Sequence, residues 1–147
     1  MPYSFALKTK LLIDQKVLLI EDDEVHQMLL TFMLKDQGAL LTVEPDKDEA
    51  LNKLRNEKFD LILLDTRLNN TNALRFTQQL RTELSLDTPI IGMSSVNLQG
   101  RGIYNGLDEV LMRPVEYGQL MDTIALVKNF ARNKIQNCSL KYPAVQR

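Results

Sequence analysis

One cysteine, Cys138, is all that this chain of 147 residues carries, so neither an intrachain disulfide framework nor a multi-cysteine metal site can form. Histidine is as scarce: His26 has no second imidazole to join it in a metal site, and it reads as a polar residue inside a helix. Charge of either sign is nearly absent in the net, at −1, which leaves no electrostatic footprint for nucleic acid or for a membrane surface. No apolar run approaches the ~20 residues of a membrane span. The segment Met1 to Leu12 lacks the basic start, long apolar centre and small-residue cleavage site of a signal peptide. No glycine-rich phosphate loop of the G-x-x-x-x-G-K type is present, which argues against a nucleotide-hydrolysing enzyme. With 44% hydrophobic and 25% charged residues, the chain fits one modest globular domain, and a reducing, cytoplasmic setting is expected.

What is present is an alternation of short apolar runs and helical patterns. Val17-Leu18-Leu19-Ile20 ends in Glu21-Asp22-Asp23, and Leu61-Ile62-Leu63-Leu64 ends in Asp65. Short, continuous, β-favouring runs suit parallel strands covered on both faces, so these acids are placed at strand C-terminal ends. In an open α/β sheet that edge is where ligands bind.

Five strand-then-helix units can be traced. The first strand spans about 16–21; Val25, Met28, Leu29, Phe32 and Met33 then recur at helical spacing, with Gly38 as a C-terminal stop. A second strand, Leu40–Glu44, precedes a helix over Asp46–Lys58 with Ala50, Leu51 and Leu54 on one face. The third strand, Phe59–Asp65, leads through a polar loop, Thr66–Thr71, to a helix over Asn72–Leu84. Thr88–Met93 is the fourth strand, ended by Ser94 and Ser95. Asn97–Asn105 reads as a helix of low stability, because Gly100 and Gly102 each cost roughly 1 kcal/mol relative to alanine in a helix interior. Gly106 leads to a fifth strand, Glu109–Met112, and a last helix over Val115–Arg132 turns Leu120, Ile124, Val127 and Phe130 inward. Right-handed crossovers between parallel strands then give one doubly wound α/β sheet with helices on both faces. Residues 1–14 form a mixed N-terminal extension and 133–147 a polar C-terminal tail, each a linker, a docking segment or a frayed end.

The candidate chemistry lies at the strand ends: Glu21 and Asp22 after the first strand, Asp65 after the third, Ser94 after the fourth, Arg113 after the fifth. Three converging carboxylates need a neutralising cation, and hard oxygen ligands select Mg²⁺ or a similar ion. The Ser94 hydroxyl and the Arg113 guanidinium suit phosphoryl oxygens. Taken alone, the acids beside the first strand are also what the first turn of a helix favours, and Asp23 reads as a cap. Asp60 reads as the residue that opens the third strand.

Four segments in order, Lys16-Val-Leu-Leu-Ile-Glu-Asp-Asp23, Phe59-Asp-Leu-Ile-Leu-Leu-Asp65, Pro89-Ile-Ile-Gly-Met-Ser94 and Gly106-Leu-Asp-Glu-Val-Leu-Met-Arg-Pro114, resemble the motifs of the response-regulator receiver domain of two-component signalling. The likeness covers about residues 15–130 and leans toward receivers of hybrid histidine kinases. It implies a flavodoxin-like (βα)5 fold with strand order 2-1-3-4-5. It also implies Asp65 as phosphoacceptor, Glu21, Asp22 and the backbone carbonyl of Arg67 as the rest of a Mg²⁺ site, and Ser94 as the switch hydroxyl. Three departures stand out. Arg113 occupies the place of the family's lysine, Val110 that of its frequent aromatic switch residue, and Leu68-Asn69 with Asn72-Ala73 replace Met-Pro and Asp-Gly.

The resemblance implies a receiver, residues 15–132, that takes a phosphoryl group from a histidine kinase or histidine phosphotransfer protein. Such a module turns over no metabolite and signals by protein–protein contact, with homodimerisation an open option. A pseudo-receiver that binds partners without phosphate is the alternative. A Mg²⁺-dependent phosphohydrolase is disfavoured, because Arg67 stands where an Asp-x-Asp pair would need its second acid.

Overall fold

The computed structural model describes residues 9–98 and 105–141, the stretch 130–141 by its helical backbone. Five strands, β1 (Lys16–Ile20), β2 (Leu40–Glu44), β3 (Leu61–Asp65), β4 (Ile90–Ser94) and β5 (Glu109–Met112), form one parallel sheet in the order β2-β1-β3-β4-β5. The described helices are α1 (Glu24–Asp36), α2 (Lys47–Asn56), α3 (Ala73–Thr82) and α4 (Tyr117–Lys141). The expected flavodoxin-like fold and strand order are therefore what forms. None of these helices is long and apolar enough to cross a membrane.

The period-2 geometry of a strand divides the apolar runs between two cores. Val17, Leu19, Leu61, Leu63, Ile91, Met93 and Leu111 face one layer with Leu30, Met33 and Leu34 of α1 and Leu120, Ile124 and Val127 of α4. Leu18, Ile20, Ile62, Leu64 and Ile90 face the other, against α2 and α3. The central strands β3 and β4 are buried throughout, which is why their sequences are continuously apolar rather than alternating.

Helix ends follow local signals. Asp23, Asp46 and Asn72 each accept an N-terminal amide of the helix they precede. Gly38 follows α1 at φ +89°, a conformation that glycine adopts without strain, and a Cβ there would lie 3.0 Å from the Ile13 side chain.

Several expectations are corrected. In α1 the buried residues are Leu30, Met33 and Leu34; Val25, Met28, Leu29 and Phe32 are exposed. The helix carries two overlapping apolar stripes, and the crossover from β1 to β2 determines which one meets the sheet. The N-terminal extension is tied down from Leu11 onward. Leu12 is fully buried, its amide and that of Leu11 donate to the backbone and side-chain carbonyls of Gln37, and Lys128 donates to the Leu11 carbonyl. The last helix reaches Lys141 rather than stopping near Arg132. Phe130 lies outside the described side chains. Asn97 and Leu98 have no regular structure and Asn105 begins a turn; the rest of the expected 97–105 helix lies outside the described residues.

Candidate functional site

Parallel register brings the strand ends together. Ile20 aligns with Leu64, so Glu21 follows β1 where Asp65 closes β3; Asp65 aligns with Met93, and Ser94 with Met112, one residue before Arg113. Carboxylate oxygens of Glu21, Asp22 and Asp65 lie within 4.8 Å of one another, the one acidic group of metal-binding spacing among the described residues. They line an open pocket of about 230 Å³ with Asp23, His26, Arg67, Ser95 and Arg113. Larger depressions of about 560 Å³, beside the C-terminal end of α2, and about 670 Å³, beside the start of α3, lack such a convergence of acids. An all-oxygen donor set from three carboxylates fits a hard divalent cation such as Mg²⁺, with room left for water ligands.

Of the two arginines that line the pocket, Arg113 is the one whose guanidinium meets the acids. Its Nη2 lies 2.6 Å from Glu21 Oε2 and 3.0 Å from Asp65 Oδ1. Its Nη1 lies 2.5 Å from His26 Nδ1 and 3.3 Å from Nε2. A guanidinium can only donate, so in this contact the imidazole is the acceptor, both of its ring nitrogens lying within reach of Nη1. Arg113 Nε is buried without a partner, an arrangement that costs free energy until an acceptor arrives.

Glu21 is fully buried, and its pKa is pushed up to about 7. Burial is the main cause; the Arg113 guanidinium opposes it, and the neighbouring Asp65 carboxyl adds to it. Removal from water therefore outweighs the ion pair at Glu21.

Other residues are held by backbone groups. Asp65 Oδ1 also accepts the Arg67 amide at 2.8 Å, Asp22 Oδ2 accepts the Asn69 amide at 2.9 Å, and Glu21 Oε1 accepts the Asp23 amide at 3.2 Å. The first two contacts fix the β3–α3 loop without proline or glycine at its start. Asp23 is the cap of α1 through the His26 amide, which holds its carboxyl below the usual range. Asp60 accepts the Lys16 amide where β1 begins.

Glu21, Asp22, Asp65 and Arg113 are thus brought together, while Ser94 is not among the pocket-lining residues. Its fully buried hydroxyl donates to the Val96 carbonyl at 2.7 Å and accepts the Val96 amide. Its neighbour Ser95 lines the pocket and accepts Arg67 Nη1 at 3.0 Å. Sequence reasoning missed Ser95 and read His26 as an ordinary polar residue. One signal for His26 was legible: it lies three residues after a capping aspartate, in the helical turn that faces the acidic edge. Val110 is partly buried against the α2–α3 core.

Residues 17–125 match the family model of the response regulator receiver domain. Sensor histidine kinase RcsC of Salmonella typhi is 29% identical over 116 residues, which cover 77% of this chain and 12% of that protein. The autoinducer 2 sensor kinase/phosphatase LuxQ of Vibrio vulnificus (strain YJ016) is 31% identical, covering 74% of this chain and 13% of its own length. The chain therefore spans about an eighth of the length of these relatives. Among solved structures, the receiver domain of sensor histidine kinase PA1611 from Pseudomonas aeruginosa PAO1 superposes with a TM-score of 0.66 at 26% identity. That match covers 76% of this chain and 94% of that one, which has a magnesium ion coordinated in its active site cleft. A response regulator receiver domain protein of Methanospirillum hungatei JF-1 gives a TM-score of 0.75 at 20% identity over 82% of this chain and 98% of its own, a likeness of fold alone.

Proposed function

The chain belongs to the response regulator receiver domain family of two-component signalling, and from that premise we propose that it accepts a phosphoryl group on Asp65 from a phosphohistidine donor. The observation that carries this reading is the convergence of Glu21, Asp22 and Asp65 at one sheet edge, with a guanidinium nitrogen 3.0 Å from Asp65. Glu21, Asp22 and Asp65, with the Arg67 carbonyl, would hold Mg²⁺, which when bound supplies charge neutralisation for an incoming phosphoryl group. An ionised Asp65 oxygen forms the new bond to phosphorus as the phosphorus–imidazole nitrogen bond of the donor breaks and its electron pair leaves with the imidazole. Arg113 can follow the phosphoryl oxygens with its donors, including the orphaned Nε–H. Ser94 would have to exchange its Val96 contacts for a phosphoryl oxygen to act as the switch hydroxyl.

A partner surface adjoins the pocket. On α1, His26 lines the pocket while Val25, Met28, Leu29 and Phe32 point into solvent, with Val25, Met28 and Phe32 at least 70% exposed. An exposed apolar stripe of this kind marks a contact surface. Its continuity with the acids suits a histidine kinase or histidine phosphotransfer partner presenting its phosphohistidine to Asp65. Output then passes to another protein from the receiver unit 15–132, and the activity is limited to the module's own phosphorylation and dephosphorylation.

Intact mass after incubation with Mg²⁺ and acetyl phosphate tests the reading: one phosphoryl group is expected on the wild type and none on Asp65→Asn. Equal gain by both proteins would make Asp65 the wrong residue. The prior engagement of Glu21 and Asp65 by Arg113 favours one second reading, a phosphate-independent pseudo-receiver. Absence of any gain with a small donor, a beryllofluoride analogue and a phosphotransfer partner would select it.

A further inference from the structure

We propose that His26 is a positioning residue that latches the Arg113 guanidinium over Glu21 and Asp65, making Arg113 the resident counter-ion that a divalent cation must displace. The inference rests on reading the acid pocket as a cation and phosphoryl site, and deepens it by naming what governs access to that site.

A lysine ammonium is a single point of donation, whereas a guanidinium is a rigid planar fork whose arms need separate acceptors. Here one arm, Nη2, takes the two acids at 2.6 and 3.0 Å. The other arm, Nη1, would be left among carboxylates already held by backbone amides, and it meets His26 instead at 2.5 Å. The Arg113 side chain is only 11% exposed, so water cannot substitute freely for that acceptor. The His26 backbone is held in the first turn of α1, where its amide donates to the Asp23 cap at 3.0 Å. Arginine at position 113 and an acceptor at position 26 therefore work as a pair, across 87 residues of sequence.

Two consequences follow. Two of the three carboxylates available to a divalent cation already carry a partner charge, so metal binding competes with the latch. The latch also has a handle outside the pocket: the His26 side chain is 43% exposed and lies on the helix that carries the exposed Val25, Met28 and Leu29. Contact on this stripe that moves His26 would free Arg113, and with it the acids.

Mg²⁺ titrations followed by amide shifts test the pairing in five proteins, wild type, His26→Ala, His26→Gln, Arg113→Lys and the double variant of His26→Ala with Arg113→Lys. His26→Ala should tighten Mg²⁺ binding roughly three- to tenfold, in the lower part of the range of coupling between side chains in direct contact. In the Arg113→Lys background the same change should have no effect, since a lysine has no second arm to hold. His26→Gln, whose amide oxygen can accept, should restore wild-type affinity. Unchanged affinity in His26→Ala, or the same change in both backgrounds, would overturn the latch. A metal-free readout accompanies the titration: the Arg113 Nε–H signal should exchange slowly with water in the wild type and several-fold faster in His26→Ala, and equal rates would overturn the proposal even if no Mg²⁺ bound. Failure of Asp65 to accept phosphate with the latch intact would sink the functional reading alone.

Discussion

Glu21 is the residue at which the site's electrostatics are most exposed to test. Its folded pKa, about 7 against 4.5 for an unperturbed glutamate, means that the native state holds a proton that the unfolded chain releases. The stabilising contribution is therefore fully present below pH 4.5 and is lost as pH rises through 7. Between those values Glu21 should cost the metal-free fold about 2–4 kcal/mol. Urea midpoints at pH 5 and pH 8 without divalent ions should show this fall in the wild type, and Glu21→Gln should remove most of it. Equal pH slopes in the two proteins would contradict the assignment. The sign reverses for metal, since Mg²⁺ needs the ionised carboxylate and should bind more tightly as pH rises through 7.

Among the elements, α1 separates stability from contact. Leu34 is fully buried against the sheet and Phe32 is 70% exposed, although both are large apolar residues of one helix. Leu34→Ala should lower unfolding free energy by ~2–5 kcal/mol, whereas Phe32→Ser should change it by no more than ~0.5 kcal/mol. Denaturant titration of both variants checks the assignment of faces. A large loss from Phe32→Ser would mean that the outward stripe is core after all. The residues whose spacing marks this helix in the sequence form the outward stripe, apart from Met33. Helical spacing shows that an apolar stripe exists, and with two stripes side by side it cannot say which one the β1–α1–β2 crossover turns inward.

At the scale of the whole molecule the sheet is one body between two cores, and the site spans it from β1 to β5. The Arg113 amide donates to the Ser94 carbonyl at 2.8 Å, so the backbone that carries the Arg113 side chain is joined to the end of β4. Occupation of Asp65 by beryllofluoride is expected to shift amide resonances through Glu109–Met112 and the Asn105–Gly106 turn as well as in the pocket. The amplitude should be small, because Val110 has neither the ring nor the hydroxyl of an aromatic switch residue. Ser94→Ala should reduce the spread, since an analogue shifts an equilibrium only through groups that meet the two conformations differently. Shifts confined to the pocket would leave a phosphate acceptor without this output face.

The sequence by itself determined the fold and the sheet edge at which the candidate site is proposed. Strands buried on both faces must be continuously apolar, which made Val17–Ile20 and Leu61–Leu64 legible, and the acids that end those runs marked the ligand edge. Local chemistry also announced Asp23 as a cap and Gly38 as a stop. Only the tertiary structure decided that Leu12 joins the core, that the Ser94 hydroxyl turns to Val96, and that Arg113 is shared between two acids and His26. Each of these depends on which of several possible partners lies within hydrogen-bond or packing distance. That choice is made by the register of parallel strands and the docking of a helix, neither of which leaves a periodic trace in the chain.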